Sequence, residues 1–187
     1  LIFKVGAQGA EAITNQVNAG RLAGLEQGYR DAFETAGKID DLAYLITRDL
    51  NAVHRKGVTL DGELGGDLFV ARRPVVDFGV TNVGQAYAEV DVGDMALVEP
   101  KKVTFTYNAS QDKWVGRDDF GETVASGKNA VSLPGMTIRF VGEAFDNDEI
   151  IIDPSRSAAE SLVFSLKRGE EFAAAAARLA YADSANA

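Results

Sequence analysis

The order of apolar and polar residues changes once along the chain, from a helical repeat to a strand-like one. Between residues 18 and 57, apolar residues recur every three or four positions, which is the spacing of one face of an amphipathic helix. Between 71 and 167, apolar and polar residues alternate, as they do in strands with one buried face. The pattern predicts an α+β fold, in which a helical unit carries an antiparallel β domain of the sandwich or barrel type.

The helical part is predicted to contain two consecutive helices. Asn18 is a candidate N-cap for the first, and Asp31 and Glu34 have the spacing of a capping box for the second. The second helix is expected to bury an apolar stripe formed by Ile39, Leu42, Ala43, Ile46, Leu50 and Val53. The residues then expected to face solvent are Asp40, Asp41, Arg48 and Asp49.

Residues 54–56 signal the end of this helix. They place polar and positive side chains where the helix dipole favours them, and Gly57 suits the left-handed conformation that follows many helices. The glycine-rich residues 59–67 predict a connection made of turns. Near the end of the chain, the alanine run at 173–177 favours a further helix.

Four segments of alternating polarity predict strands: 86–92, 103–107, 136–140 and 162–166. Turn signals separate them and no helical crossover lies between them, so the sheet is expected to be antiparallel. We expect a mainly helical domain at 1–70 that begins with a strand, an antiparallel β domain at 71–153, and a return segment at 154–187 that packs toward the helical domain.

The amino-acid composition argues against several classes of function. The chain has 187 residues, 46% of them hydrophobic and 25% charged, which is typical of a folded globular protein. Its net charge of −9 argues against a nucleic-acid partner, because such binding needs clustered Lys and Arg. The absence of cysteine excludes disulfides, thiolate metal sites and cysteine nucleophiles. No apolar stretch approaches the ~20 residues that span a bilayer, so no membrane partner is expected.

The few candidate chemical groups fit structural roles better than catalysis. His54, the single histidine, has no nucleophile motif beside it and is expected at the surface or as a helix cap. Trp114 is more typical of a core than of a sugar site. Two acidic groups lack the pattern of a calcium loop and favour solvated turns: Asp146, Asp148, Glu149 and Asp153, and Asp61, Glu63 and Asp67. We expect no catalytic residue, no cofactor and no metal.

A set of residues in the helical part and the loop after it forms a longer motif. Its members are Gly20, Leu22, Leu25, Arg30, Asp31, Asn51, His54, Gly57, Asp61, Gly62, Gly66, Asp67 and Phe69. This motif resembles that of the bacterial flagellar hook-associated protein 1 family. A looser similarity continues through the strand-rich residues 103–115 and 133–154.

The resemblance implies a non-catalytic structural subunit of the flagellum that joins hook to filament. It implies an extracellular location, reached through the flagellar export channel without a cleaved signal peptide. The implied partners are other copies of the subunit, the hook protein and hook-associated protein 3. It further implies an internal fragment without the terminal helices of the inner tube, so we expect a monomer in dilute solution. Hook-associated protein 3, the hook protein, and an extracellular binding or adhesive module on the same scaffold stay open as alternatives.

Overall fold

The computed structural model describes residues 4–5, 11–12 and 19–176. The chain divides into two compact units, Leu1–Ile39 and Asp40–Ala187. The first contains two short antiparallel strands, β1 (Lys4–Val5) and β2 (Glu11–Ala12). None of the helices in the described part of the chain is both long and apolar enough to cross a membrane.

A single α-helix, α1 (Gly20–His54), stands where two helices were predicted. Asp31 and Glu34 lie inside this helix, so the predicted second N-terminus was wrong, and Asn18 lies outside the described residues. The capping-box spacing gave a wrong prediction because acidic side chains also stabilise the interior of a helix, where they pair with basic side chains four residues away. Glu34 forms such a pair with Lys38 at 2.6 Å.

The apolar stripe of α1 is mostly exposed, contrary to the prediction. Leu42 and Val53 are 58% and 68% exposed, and Ala43 is buried. Within the second unit, the buried residues of α1 include Tyr44 and the polar Asn51 and His54. An amphipathic repeat shows that a helix has two unlike faces, but the tertiary partners decide which face is covered.

The second unit holds the remaining strands. They are β3 (Gly57–Val58), β4 (Val75–Phe78), β5 (Tyr87–Val92), β6 (Val103–Asn108), β7 (Lys113–Arg117), β8 (Thr123–Gly127), β9 (Ala130–Leu133), β10 (Met136–Val141), β11 (Glu149–Asp153) and β12 (Ala175–Ala176). Two short 3-10 helices, Met95–Leu97 and Gly169–Glu171, lie between them. Strands β5, β6 and β10 confirm three of the four alternating segments.

The strands form two larger antiparallel sheets, with the orders β5-β10-β9 and β4-β11-β6-β7-β8. Strands β3 and β12 form a separate antiparallel pair. The helix predicted from the alanine run was therefore wrong over its described residues, because Ala175–Ala176 is extended. The fourth alternating segment forms only an isolated bridge between Phe164 and Phe69. The α+β class is confirmed, whereas closure of the sheets into a sandwich or barrel stays a prediction.

Both larger sheets contribute side chains to one hydrophobic core. The ring of Phe140 lies 4.8 Å from that of Trp114 and 5.2 Å from that of Phe105. A Cβ at Gly116 would lie 2.5 Å from the Phe105 ring, so glycine makes room for it. Each buried phenylalanine contributes about 1.5–3 kcal/mol. The core role expected for Trp114 is confirmed.

Candidate functional site

The last two turns of α1 bring six of the thirteen motif residues into one place, which we call the helix-end cluster. Its members are Asn51, His54, Gly57, Gly65, Gly66, Asp67, Phe69 and Ala173. All of them lie in the second unit. We assign the cluster a structural role, because its polar side chains form hydrogen bonds to backbone groups and one ion pair.

Asn51 ties α1 to the backbone of Phe69. Its Nδ2 donates to the Phe69 carbonyl at 2.8 Å, and its Oδ1 accepts from the Phe69 N–H at 2.8 Å. The side chain thus satisfies both polar groups of one residue, as a neighbouring strand would. Since Asn51 is buried, few competing waters reach these bonds.

His54 connects two further segments to the end of the helix. Its Nδ1 lies 2.8 Å from the Gly66 carbonyl, and its Nε2 accepts from the Ala173 N–H at 2.9 Å. A carbonyl only accepts and a backbone N–H only donates, so these contacts select the neutral ring with its proton on Nδ1. The expectation of a surface or capping role was wrong, because the ring is buried and both nitrogens bind other segments.

Two glycines let the chain pass close to the end of α1. A Cβ at Gly65 would lie 2.1 Å from the His54 carbonyl oxygen, and one at Gly57 would lie 2.6 Å from the Ala173 oxygen. Gly57 does not adopt a positive φ, so its predicted left-handed role was wrong. The predicted helix end at His54 is confirmed. Gly66, which the motif includes, has open space at its Cβ position.

The loop residues of the motif lie around this cluster. Asp67 pairs with Arg55, the residue that follows α1, at 2.6 Å. Gly62 has a φ of +81° in a turn closed by its N–H and the Thr59 carbonyl at 3.1 Å. The carboxylate of Asp61 lies 3.9 Å from the Arg168 guanidinium, which is a weak contact at an exposed position.

The earlier motif residues belong to the first unit, and they are not part of the cluster. Gly20 is the first residue of α1 and has a φ of +81°. Leu22 and Leu25 are exposed. Arg30 pairs with Glu26 one turn earlier, and Asp31 accepts from the Gln27 side chain at 2.7 Å.

A second set of polar contacts holds residues 155–159 against α1. Asp40 accepts from the N–H groups of Ser157 and Ala159, each at 2.9 Å. Asp41 accepts from the Ser155 hydroxyl at 2.6 Å. The expectation that both acids face solvent was therefore wrong. Asp49, by contrast, is exposed.

A tyrosine of α1 enters the core between these two sets of contacts. The Tyr44 hydroxyl lies 3.3 Å from the Val98 carbonyl, to which it donates. Burial raises the pKa of Tyr44 to about 12, although the charge of Arg48 acts to lower it. The hydroxyl therefore stays protonated as a donor at neutral pH.

The acidic residues considered as metal ligands organise turns instead. Asp148 is buried and accepts from the N–H groups of Val83, Gly84 and Phe145 at 2.8, 3.0 and 2.7 Å. Burial alone would raise the pKa of Asp148, but these three donors outweigh it and lower the pKa. Asp146 accepts from the Ala109 N–H at 2.9 Å.

Asp153 likewise accepts from backbone, at the N–H groups of Ser155 and Arg156. Burial is the larger influence here and raises the pKa of Asp153, while these bonds act to lower it. Within the described ranges, no three acidic or histidine side chains stand close enough together to hold a metal ion. Both nitrogens of His54 are already engaged by backbone groups, so its ring is not free to bind a metal or to act as a base.

The comparisons with known proteins agree with this structural character. Residues 2–69 match the family model described as the helical domain of the flagellar hook-associated protein FlgK. Flagellar hook-associated protein 1 of Escherichia coli (strain K12) is 24% identical over 145 residues. The resemblance to flagellar hook-associated protein 1 is confirmed. The alignment covers 76% of this chain and 26% of the E. coli protein, so the chain spans about a quarter of that relative.

Solved structures extend the likeness to the fold. The hook junction protein FlgK of Burkholderia pseudomallei superposes with a TM-score of 0.62 at 22% identity, over 75% of this chain and 26% of that one. At this identity the match shows a shared fold. A FlgL structure from Xanthomonas campestris reaches a TM-score of 0.38 at 16% identity, over 46% of this chain and 30% of that one, and supports no argument.

Several residues that build these contacts were not singled out from the sequence. Gly65 adjoins Gly66, and the sequence contains no signal that one is crowded and the other is not. Ala173 lies 119 positions from His54 along the chain. The sequence marks Asp40 and Asp41 only as members of the polar face, because their partners lie 114 to 119 positions away along the chain.

Proposed function

We propose that the chain is part of a structural, non-catalytic subunit of the bacterial flagellum that joins the hook to the filament. The match of residues 2–69 to the FlgK helical domain carries the proposal. The helix-end cluster supports it, because the same segment supplies Asn51, His54 and Phe69, whose contacts are structural.

The polar contacts of α1 suit a part that must transmit force. Asn51, His54 and Asp40 each bind two groups of other segments by directional hydrogen bonds. Hydrogen bonds fix relative orientation more tightly than apolar packing, because they weaken steeply when their angles change. In a subunit that carries load, such bonds would hold α1 in a fixed orientation to the segments that contain Phe69, Ala173 and Ser157.

The proposal includes the setting of the subunit. It lies outside the cell, after export through the flagellar channel without a cleaved signal peptide. Its partners are other copies, the hook protein and hook-associated protein 3, and it binds neither nucleic acid nor membrane. We also propose the division into a helical domain at 1–70, a β domain at 71–153 and a return segment at 154–187.

Immunogold electron microscopy of the organism that encodes the chain tests this function. An epitope inserted at Phe120, which is 90% exposed at the tip of the β7–β8 hairpin, should leave the fold intact. We expect gold at one band between hook and filament. Gold along the hook would instead identify a hook protein, and gold on the cell surface away from flagella would identify an adhesive module.

Deletion of the gene tests whether the protein is needed to join the filament to the hook. Cells without the gene should assemble hooks but no filaments, and the filament protein should accumulate in the medium. Re-expression of the epitope-tagged full-length gene provides the control and should restore filaments. Normal filaments in the deletion strain would refute the junction role.

A further inference from the structure

The chain contains two sulfur atoms, those of Met95 and Met136, because it has two methionines and no cysteine. Met136 is buried in the core of the sheets, at 7% exposure, whereas Met95 is half-buried and packs against that core. Oxidants in solution reach a partly exposed sulfur more readily than a buried one. Met95 is therefore the thioether that a dissolved oxidant meets first.

The sulfur of Met95 lies beside a buried hydroxyl group whose hydrogen bonding is weak. The Tyr44 hydroxyl oxygen is 3.3 Å from the Met95 Sδ and 3.3 Å from the Val98 carbonyl oxygen. One hydroxyl proton serves both contacts, the distance between the two oxygens exceeds the usual ~2.7–2.8 Å, and a thioether is a weak acceptor. A stronger acceptor at this place would improve the hydrogen bonding of Tyr44.

A small cavity adjoins this pair of side chains. It has a volume of about 30 Å³, and its lining includes Tyr44, Arg48, Asn51 and Met95. This volume has room for one added oxygen atom, since a cavity of ~10–15 Å³ already holds a water molecule. No Asp or Glu among the described residues lines the cavity, so its surroundings favour an atom with partial negative charge.

Arg48 brings a positive charge to the same place. Its side chain is only 20% exposed, and its Nη1 lies 3.4 Å from the Val98 carbonyl oxygen that also accepts from Tyr44. Its Nε is paired with the exposed Asp49 at 2.8 Å, and a guanidinium has more N–H donors than these two contacts use. Arg48 thus stays beside the Val98 carbonyl when the Tyr44 hydroxyl turns to another acceptor.

The backbone around Met95 is held in place, whereas its side chain can adjust. Met95 is the first residue of the 3-10 helix that ends at Leu97. Just before this helix, the Gly135 carbonyl accepts from the N–H groups of Gly93 and Asp94 at 3.0 and 3.1 Å. Methionine is unbranched and flexible, so its sulfur can shift to make room for one more atom while the helix stays in position.

We propose that Met95 is an oxidation site whose sulfoxide the fold accommodates, with the Tyr44 hydroxyl as the hydrogen-bond donor to the new oxygen. The oxidant is a hydroperoxide. The thioether sulfur attacks the terminal peroxide oxygen, so that an S–O bond forms and the O–O bond breaks. The proton of the transferred hydroxyl passes to the leaving oxygen, which departs as water or an alcohol. Sulfur loses two electrons in this step and the peroxide gains them.

The sulfoxide of Met95 should therefore strengthen the contact between α1 and the core. Sulfoxide formation within a core usually disrupts packing, because an apolar side chain becomes polar. At Met95 the new oxygen instead meets a hydroxyl donor, a cationic neighbour and space for one atom. Met95 thus consumes one hydroperoxide without loss of the fold. This chemistry does not depend on the flagellar role, because every group involved lies in the second unit.

Two variants that each keep a single sulfur test the proposal. Met136→Leu retains only Met95, and Met95→Leu retains only Met136; both replacements nearly conserve side-chain volume, and circular dichroism would verify the fold. The folded chains are treated with excess hydrogen peroxide, and intact-mass spectrometry follows the gain of one oxygen atom. We expect Met95 to be oxidised at least about tenfold faster than Met136.

Thermal unfolding of the fully oxidised chains measures whether the fold accommodates each sulfoxide. The oxidised Met136→Leu chain should melt within about 2 °C of its reduced form or above it. The oxidised Met95→Leu chain should melt well below its reduced form, because its sulfoxide lies in the core.

Removal of the Tyr44 hydroxyl tests the donor. When Tyr44→Phe is added to the Met136→Leu chain, oxidation should lower the melting temperature by at least about 4 °C, because the sulfoxide then lacks its partner. Tyr87→Phe is the matched control in the same chain. Tyr87 is 43% exposed and does not line the cavity, so its replacement should leave the response to oxidation unchanged.

Three results would overturn the proposal. The first is equal oxidation rates for the two methionines, which would mean that Met95 is not the accessible sulfur. The second is an oxidised Met136→Leu chain that loses as much thermal stability as the oxidised Met95→Leu chain. The third is the same response to oxidation in the Tyr44→Phe and Tyr87→Phe chains, which would exclude Tyr44 as the donor.

Discussion

Replacing Asn51 by alanine should destabilise the chain far more than replacing an exposed apolar residue of the same helix. The substitution removes both hydrogen bonds to Phe69, each of 2.8 Å, and leaves one N–H and one carbonyl without partners. An unsatisfied buried polar group costs about 1–3 kcal/mol. Because Phe69 is only half-buried, water can partly replace the lost bonds. We therefore expect a loss of about 2–4 kcal/mol from the free energy of unfolding.

Val53→Ala is the matched control, two residues away on the opposite face of α1. Val53 is 68% exposed and alanine favours helix slightly, so the change should stay within about 0.5 kcal/mol. Asn51→Asp keeps the shape and the acceptor but loses the donor, so it separates hydrogen bonding from packing and should also be destabilising.

Urea unfolding measures these differences. Circular dichroism at 222 nm follows the helix, and fluorescence of Trp114 follows the core of the sheets. Coincident transitions would justify a two-state free energy. If Val53→Ala cost as much as Asn51→Ala, the apolar stripe would be the buried face, and the orientation of α1 described above would be wrong.

Three further changes test the other contacts by the same urea assay. Gly65→Ala should cost more than about 1 kcal/mol, because its Cβ would lie 2.1 Å from the His54 oxygen, whereas Gly66→Ala should be neutral or stabilising; equal effects would contradict this packing. Asp40→Ala should cost about 1–2 kcal/mol through two lost hydrogen bonds, against at most about 0.5 kcal/mol for the exposed Asp49→Ala; a reversed order would refute the assignment of faces. The pKa of Asp148 is lowered in the folded chain, so its carboxylate stabilises the fold above the unfolded pKa of about 3.9, and this contribution is lost as pH falls through the lower folded value. Asp148→Asn should therefore destabilise at pH ~7 and progressively less below pH ~4, and a pH-independent difference would exclude this linkage.

The sequence alone determined those features that depend on neighbours close along the chain. Strands β6 and β10 follow from alternation, since Phe105, Ile138 and Phe140 are buried between exposed or half-buried neighbours. The end of α1 at His54 follows from polar and glycine residues within one turn. The motif between residues 20 and 69 also indicated the resemblance that the comparisons confirm. In each case, the deciding information lies within a short stretch of chain.

Only the tertiary structure decided which residues meet across long stretches of chain. The helical repeat defines an apolar and a polar face on α1, yet the polar face is the one that binds, through Asn51 to Phe69 and through Asp40 to Ser157. The sequence suggested that Gly57 is a glycine because it ends a helix in the left-handed conformation. The structure gives another reason, since the Ala173 backbone lies too close to leave room for a Cβ. Hydrogen bonds and steric contacts depend on distances in space, and the sequence of a single chain does not contain the distance between His54 and Ala173.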